Sequence, residues 1–170
     1  YVRPGRLFLV TSILAFATVI AARSLTYWVR DARYHVSLLV IPIVPFVLIV
    51  PLMIAGVPTN VLALLPVPVM ALFLGWSIHN DVAYDSTAIW LHVASGTRGR
   101  ADRLGRVIPP LLVGVPVLVI GALICAPLYG DEAVFAALIG VGLGVLLSGL
   151  GLSSIMSASF PYPAVRPGDS

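Results

Sequence analysis

Apolar and polar positions segregate along this chain into long apolar runs and short links that hold nearly all of the charge. A bilayer hydrocarbon core of about 30 Å is crossed by roughly 20 apolar residues in a helix. Four runs have that length: residues 36–55, 61–79, 107–126 and 133–152. A fifth, 7–22, is shorter and either crosses together with its flanks or lies partly at the surface. The pattern predicts an all-α integral membrane protein, a single transmembrane domain of about five helices over residues 1–170.

The runs are not uniform inside. Pro42, Pro45, Pro51, Pro66, Pro68, Pro109, Pro110 and Pro116 fall within them. Each removes a backbone donor, so kinks are expected, which either shape packing or line a cavity. The run 133–152 carries instead glycines at 140, 142, 144, 149 and 151 together with Ser148. Gly140, Gly144 and Ser148 make a small-residue face on which another helix can approach closely, within the chain or from a second copy.

Arginine is distributed unevenly among the links. The link 23–35 holds Arg23, Arg30 and Arg33, the link 80–106 holds Arg98, Arg100, Arg103 and Arg106, and the tail 153–170 holds Arg166. The alternate links 56–60 and 127–132 hold none, and the second carries Asp131 and Glu132. The excess of positive charge predicts that the arginine-bearing links and the tail are cytoplasmic. Arg3 and Arg6 are discordant, because a spanning run 7–22 places them on the opposite side.

Composition sharpens this reading. The chain of 170 residues is 59% hydrophobic and only 10% charged, with a mean hydropathy of +1.05; a soluble domain carries about a quarter charged residues. The net charge of +3 comes from arginine alone, since lysine is absent. These basic residues flank apolar spans rather than line an aromatic-studded face, which argues against nucleic-acid binding. The single cysteine, Cys125, lies inside an apolar run, so there is neither a disulfide framework nor a thiolate metal cluster. The chain opens on Tyr1 and shows no signal-peptide cleavage pattern, and we expect it to be part of a longer protein.

Two links carry candidate chemistry. In ARSLTYWVRDARYHVS (22–37), Tyr27, Trp28 and Tyr34 alternate with arginines, which predicts an interfacial helix with rings at headgroup depth. In the link 80–106, Asp81 and Asp85 precede an apolar turn around Trp90, then SGTRGRADRLGR. This predicts a short amphipathic helix with both aspartates on one face near its start, followed by a mobile basic end. His79, Asp81, Asp85 and His92 match no compact metal-ligand spacing, and no metal or cofactor is expected. The aspartates also depart from the D-x-x-D-G pattern of CDP-alcohol phosphotransferases, because no glycine follows Asp85 and only Asp102 lies downstream. A Walker A loop needs a lysine, so this chain is not expected to be an enzyme that hydrolyses nucleotide.

The order of these features resembles the permease component of ABC-2-type ABC transporters, particularly the large actinobacterial integral membrane permeases. The resemblance covers about residues 20–170. It rests on the segment 22–35, which opens ARSLTYWVRDARY and is similar to the elbow helix before the first span, and on NDVAYDSTAIWLHVASGTRGRADRLGR (80–106), similar to the link that carries the coupling helix. It implies a bacterial plasma-membrane exporter driven by a separate ATPase subunit. The coupling loop would comprise Asp81, Asp85, Trp90, Arg98, Arg100, Arg103 and Arg106, and the elbow Tyr27, Trp28, Arg30 and Arg33. A second permease half or a second copy, and membrane lipid, are the other implied partners. The chain departs from the family in lacking a fifth and sixth span after 152, so 7–22 corresponds to the last span of a preceding half. A reading from a different class is a non-transporting membrane subunit or scaffold, assembled through the glycine face of 133–152. The apolar runs hint at an apolar or amphipathic cargo.

Overall fold

The computed structural model describes residues 6–85 and 88–164. It is all-helical among these residues, with α1 at Arg6–Arg30, α2 at Ala32–Ile54, α3 at Thr59–Leu62, α4 at Pro66–Trp76, α5 at Asp81–Tyr84, α6 at Ile89–Ala94, α7 at Gly99–Tyr129 and α8 at Val134–Ser159. Among the described residues, five helical segments are long and apolar enough to cross a membrane: Val10–Arg30, Ala32–Ile54, Thr59–Trp76, Gly99–Tyr129 and Val134–Ser159. The protein is a multi-pass membrane protein of the all-α class. Arg3 and Arg166 lie outside the described residues.

Three boundaries differ from those the apolar runs suggest. First, 23–35 does not form a helix of its own. Residues through Arg30 continue α1, and the chain breaks only at Asp31, which adopts an extended conformation and caps α2 by accepting a hydrogen bond from the Arg33 amide at 3.0 Å. Second, the run 61–79 is broken after Leu62, where the amides of Leu64 and Leu65 bond three residues back before Pro66 opens α4. A proline fits the first turn of a helix because no intrahelical donor is needed there. Third, the basic end of the 80–106 link is ordered helix. Gly96 turns the chain at a φ of +63°, a conformation open to glycine, and α7 starts at Gly99. At 31 residues α7 is about 46 Å long, well beyond the thickness of a hydrocarbon core.

The bundle is organised around α4, α7 and α8. Val67, Ala71, Leu74, Leu118, Ala122, Leu138, Leu146 and Leu150 form the buried core. Backbones approach closely between α4 and α8, where a Cβ built on Gly149 would lie 2.9 Å from the Gly75 Cα, and the reverse holds equally. Ser153 Oγ donates to the Gly75 carbonyl at 2.7 Å, which fixes the register of the crossing. A glycine pair lets backbones meet where packing is not driven by water. The α1 helix packs chiefly on α7, with Gly105 pressed against Ile20 and the Ala17 carbonyl. By contrast, α2 leans on the bundle through its first half and leaves a cleft of about 540 Å³ between its second half and α3, α4 and α7.

Gly142 and Gly149 face the chain's own helices, with Gly142 against Val67 and Leu118. Gly140 and Gly144 face open space, and Ser148 is exposed beside them. The small residues of α8 therefore occupy two faces, and intramolecular packing uses the one without Gly140, Gly144 and Ser148.

Candidate functional site

The charged residues of the links come together at one end of the bundle, around Arg106 on α7. Its side chain is buried, with 3% of the residue exposed. Nε donates to both carboxylate oxygens of Asp102 one turn earlier, at 3.0 and 3.2 Å. Nη1 donates to the Asp81 carbonyl at 3.1 Å and to its carboxylate at 2.7 Å, and Nη2 donates to Asp85. A guanidinium presents a rigid planar fork that stays charged when buried, so one side chain can satisfy three carboxylates from two segments.

The acids have further partners. Arg23 on α1 donates to the second oxygen of Asp85 at 2.7 Å, and Arg103 pairs with Asp102. Tyr34 at the start of α2 donates its hydroxyl to Asp81. His92 Nδ1 on α6 lies 3.0 Å from Asp102, without the alignment of a hydrogen bond, and makes an ion pair there only when protonated. Three carboxylates thus face three guanidiniums, and their charges cancel. The cluster ties α1, α2, α5 and α7 together at this end. Burial of charge is costly unless each group is paired, and this network meets that condition.

Asp81 opens the four-residue α5 and Asp85 closes it, while the apolar turn around Trp90 is the separate helix α6. The two aspartates share a face, as their spacing suggests, but that face points inward. Asp81 and Asp85 are 2% and 4% exposed. Arg106 joins them inside. Trp90 is 61% exposed and Val93 78%, with Leu91 also exposed. Arg98 and Arg100 are exposed, and Arg103 is intermediate. The structure therefore divides the seven residues of the link into an interior brace (Asp81, Asp85, Arg106), an outward surface (Trp90, Arg98, Arg100), and Arg103 between them.

The aromatic residues of 22–37 divide in the same way. Trp28 and Tyr34 are buried and stacked, with centroids 5.4 Å apart, and Tyr84 meets Tyr34 edge-on at 5.6 Å. Both belong to the core rather than to a headgroup layer. Tyr27 is half-buried beneath Arg23, and Arg30 is exposed. Arg33 forks onto Asp31 and lies 4.5 Å above the Tyr84 ring. That hydrogen bonding holds the Asp31 carboxyl below its ordinary range, and burial raises the Tyr84 hydroxyl above its own.

A second polar contact seals the same end. The fully buried Asn80 reads the backbone of the tail in both directions, donating to the Tyr162 carbonyl and accepting from its amide, each at 3.1 Å. His79 stacks on Trp76 and bonds the Tyr162 hydroxyl, and Ser157 accepts from the Val82 amide at 2.9 Å. Sequence reasoning read Tyr34 only as a ring at headgroup depth and Arg23 only as a charge that sets topology, and it did not single out Asn80 or Tyr162. The one local signal was Asp102 four residues before Arg106, the spacing of neighbours on a helix face.

No protein-family model, curated protein sequence or solved structure matches the chain.

Proposed function

We propose that the chain is the membrane-spanning permease part of an ATP-driven ABC-type exporter in a bacterial plasma membrane, working with a separate ATPase subunit. The observation that carries this reading is the build of the 80–106 link. A connector has no need of a brace, yet this one is tied by Asp81, Asp85 and Arg106 to helices on both sides while Trp90, Leu91 and Val93 stand exposed beside Arg98 and Arg100. An exposed apolar patch flanked by arginines fits a protein partner with an acidic, partly apolar docking face.

In this reading the arginine-bearing end is cytoplasmic. Force applied by the ATPase at Trp90, Arg98 and Arg100 passes through Arg106 into α7 and through Arg23 into α1. Nucleotide hydrolysis belongs to the partner, and this chain contributes coupling and part of the path. A second permease half or a second copy completes the path.

The test is co-purification from gentle detergent with wild-type chain and two variants. Trp90→Ala with Arg98→Ala and Arg100→Ala is expected to lose an ATPase subunit while its helical content and melting stay unchanged. Gly144→Leu, on the outward face of α8, is expected to retain it. Retention of the ATPase by the triple variant sinks the coupling role. Loss of other membrane subunits through Gly144→Leu instead supports the scaffold reading, which the outward stripe of Gly140, Gly144 and Ser148 favours.

A further inference from the structure

The cleft between α2 and the bundle lies at the end of the molecule opposite the arginine cluster. Its walls are the second half of α2 (Pro42, Pro45, Phe46, Met53), the start of α3 and α4, and the last turns of α7 as far as Leu128. We propose that it binds the hydrocarbon chain of a single amphiphile with a cationic head group. The inference is independent of whether an ATPase docks at the other end.

Four observations select this occupant. The lining favours an apolar occupant over ordered water: among the described residues only Thr59 and Cys125 bring a side-chain hydrogen-bond donor to it, and the remaining side chains are apolar. A helix from another chain is too wide to enter the cleft along its length. A helix about 10 Å across fills on the order of 400 Å³ per turn, so a cleft of about 540 Å³ takes little more than one turn. A single apolar chain fits by length, since Pro42 to Met53 on α2 extends about 16 Å, half of a hydrocarbon core. The fourth observation concerns the head group.

The links at this end are 55–58 and 130–133, and they contain Asp131 and Glu132 with no basic residue. Both acids are exposed, three and four residues beyond Leu128 at the cleft wall. An anionic head would meet two like charges there, whereas an ammonium would meet two opposite ones. The lining is also adaptable. Met53 and Met70 are flexible fillers, and Gly121 keeps the floor open, because a Cβ there would come within 3.0 Å of the Met70 methyl.

The experiment uses the full chain in lipid nanodiscs with a dodecyl trimethylammonium probe bearing a diazirine at its chain end, and the corresponding dodecyl sulfate. The ammonium probe is expected to label peptides containing residues 42–53 and 117–128, in competition with unlabelled dodecyl trimethylammonium. The sulfate is expected to label them several-fold less. Ile124→Trp narrows the mouth from an exposed position and should cut labelling several-fold at unchanged helical content. Asp131→Asn with Glu132→Gln should bring the two probes to equal labelling. Equal labelling of the outward face of α8 at Val141, Leu147 and Leu152 would overturn the proposal, since the cleft would then be ordinary lipid-facing surface. Equal labelling by both probes in the wild type overturns the head-group assignment. Cross-linking of two copies through Cys125, the single cysteine, gives the cleft to a second copy and overturns the proposal as well.

Discussion

The two ends of this bundle are held together by opposite means. At the arginine end, charged and polar side chains from α1, α2, α5 and α7 converge on Arg106, and the tail is tied back through Asn80. At the other end, among the described residues, α2 stands away from its neighbours over an apolar cleft, and the acids Asp131 and Glu132 are exposed. The difference follows from the medium. Directional ionic contacts hold a shape where water competes weakly but chains must still meet at fixed angles, whereas apolar walls in hydrocarbon gain little by closing on one another. One end is therefore suited to transmit displacement, and the other to admit a chain-like guest.

The largest break in this comparison is expected from Arg106→Ala. It leaves Asp81, Asp85 and Asp102 buried without the cation they share, and loss of one partner of a buried pair costs about 3–5 kcal/mol. The midpoint of denaturation in micelles should fall accordingly. Arg106→Lys should recover only part of the loss, because a point charge cannot serve three carboxylates in a planar fork. Met53→Ala, at the cleft and half-exposed, should stay within about 0.5 kcal/mol of wild type. Equal losses at the two ends would undo the contrast.

Tyr34→Phe comes next. It removes the hydroxyl that Asp81 accepts while leaving the stack on Trp28 intact, and hydrogen bonds to charged groups contribute about 1.5–3 kcal/mol. A destabilisation that vanishes in the Arg106→Ala background would show that the two act as one network, which a double-mutant cycle measures directly.

A smaller effect distinguishes the two faces of α8. Gly149→Ala places a methyl 2.9 Å from the Gly75 backbone and should cost about 1–3 kcal/mol through overpacking. Gly144→Ala meets open space and should be neutral or slightly stabilising in the isolated chain, by up to about 1 kcal/mol. A loss at Gly144 that appears only at high protein concentration would reveal an association through that face.

These residues also show how far the sequence could be read. The apolar runs placed four of the five membrane-length segments, because a bilayer imposes a length that hydropathy registers directly, and left 7–22 open between a span and a surface segment, where the helix Val10–Arg30 has spanning length. They misplaced the end of α1 and the start of α7, since Arg23 and Arg106 interrupt an apolar window without interrupting a helix. The cluster was legible in part, as Asp81 and Asp85 sharing a face and as the one-turn spacing of Asp102 and Arg106, but not as one network. Arg23 with Asp85 and Tyr34 with Asp81 are 62 and 47 residues apart, and no local pattern joins them. On α8 small residues lie on both faces, so spacing alone could not choose between Gly149 and Gly144.

The smallest effect concerns the joint between α1 and α2 and is set by pH. Asp31 caps α2 and is hydrogen-bonded by Arg33, which lowers its folded pKa below the unfolded value. Its contribution is therefore fully present above the unfolded pKa, near 3.9, and is lost as pH falls through the lower folded value. Asn caps a helix about as well as Asp, so Asp31→Asn removes chiefly the ion pair, which at a partly exposed site contributes about 0–1 kcal/mol. Melting followed from pH 7 to pH 3 should show wild type and variant converging at the acid end. If the gap instead widens as pH falls, the Asp31 carboxylate is not what holds this joint, and the brace around Arg106 alone sets the angle between the first two long helices.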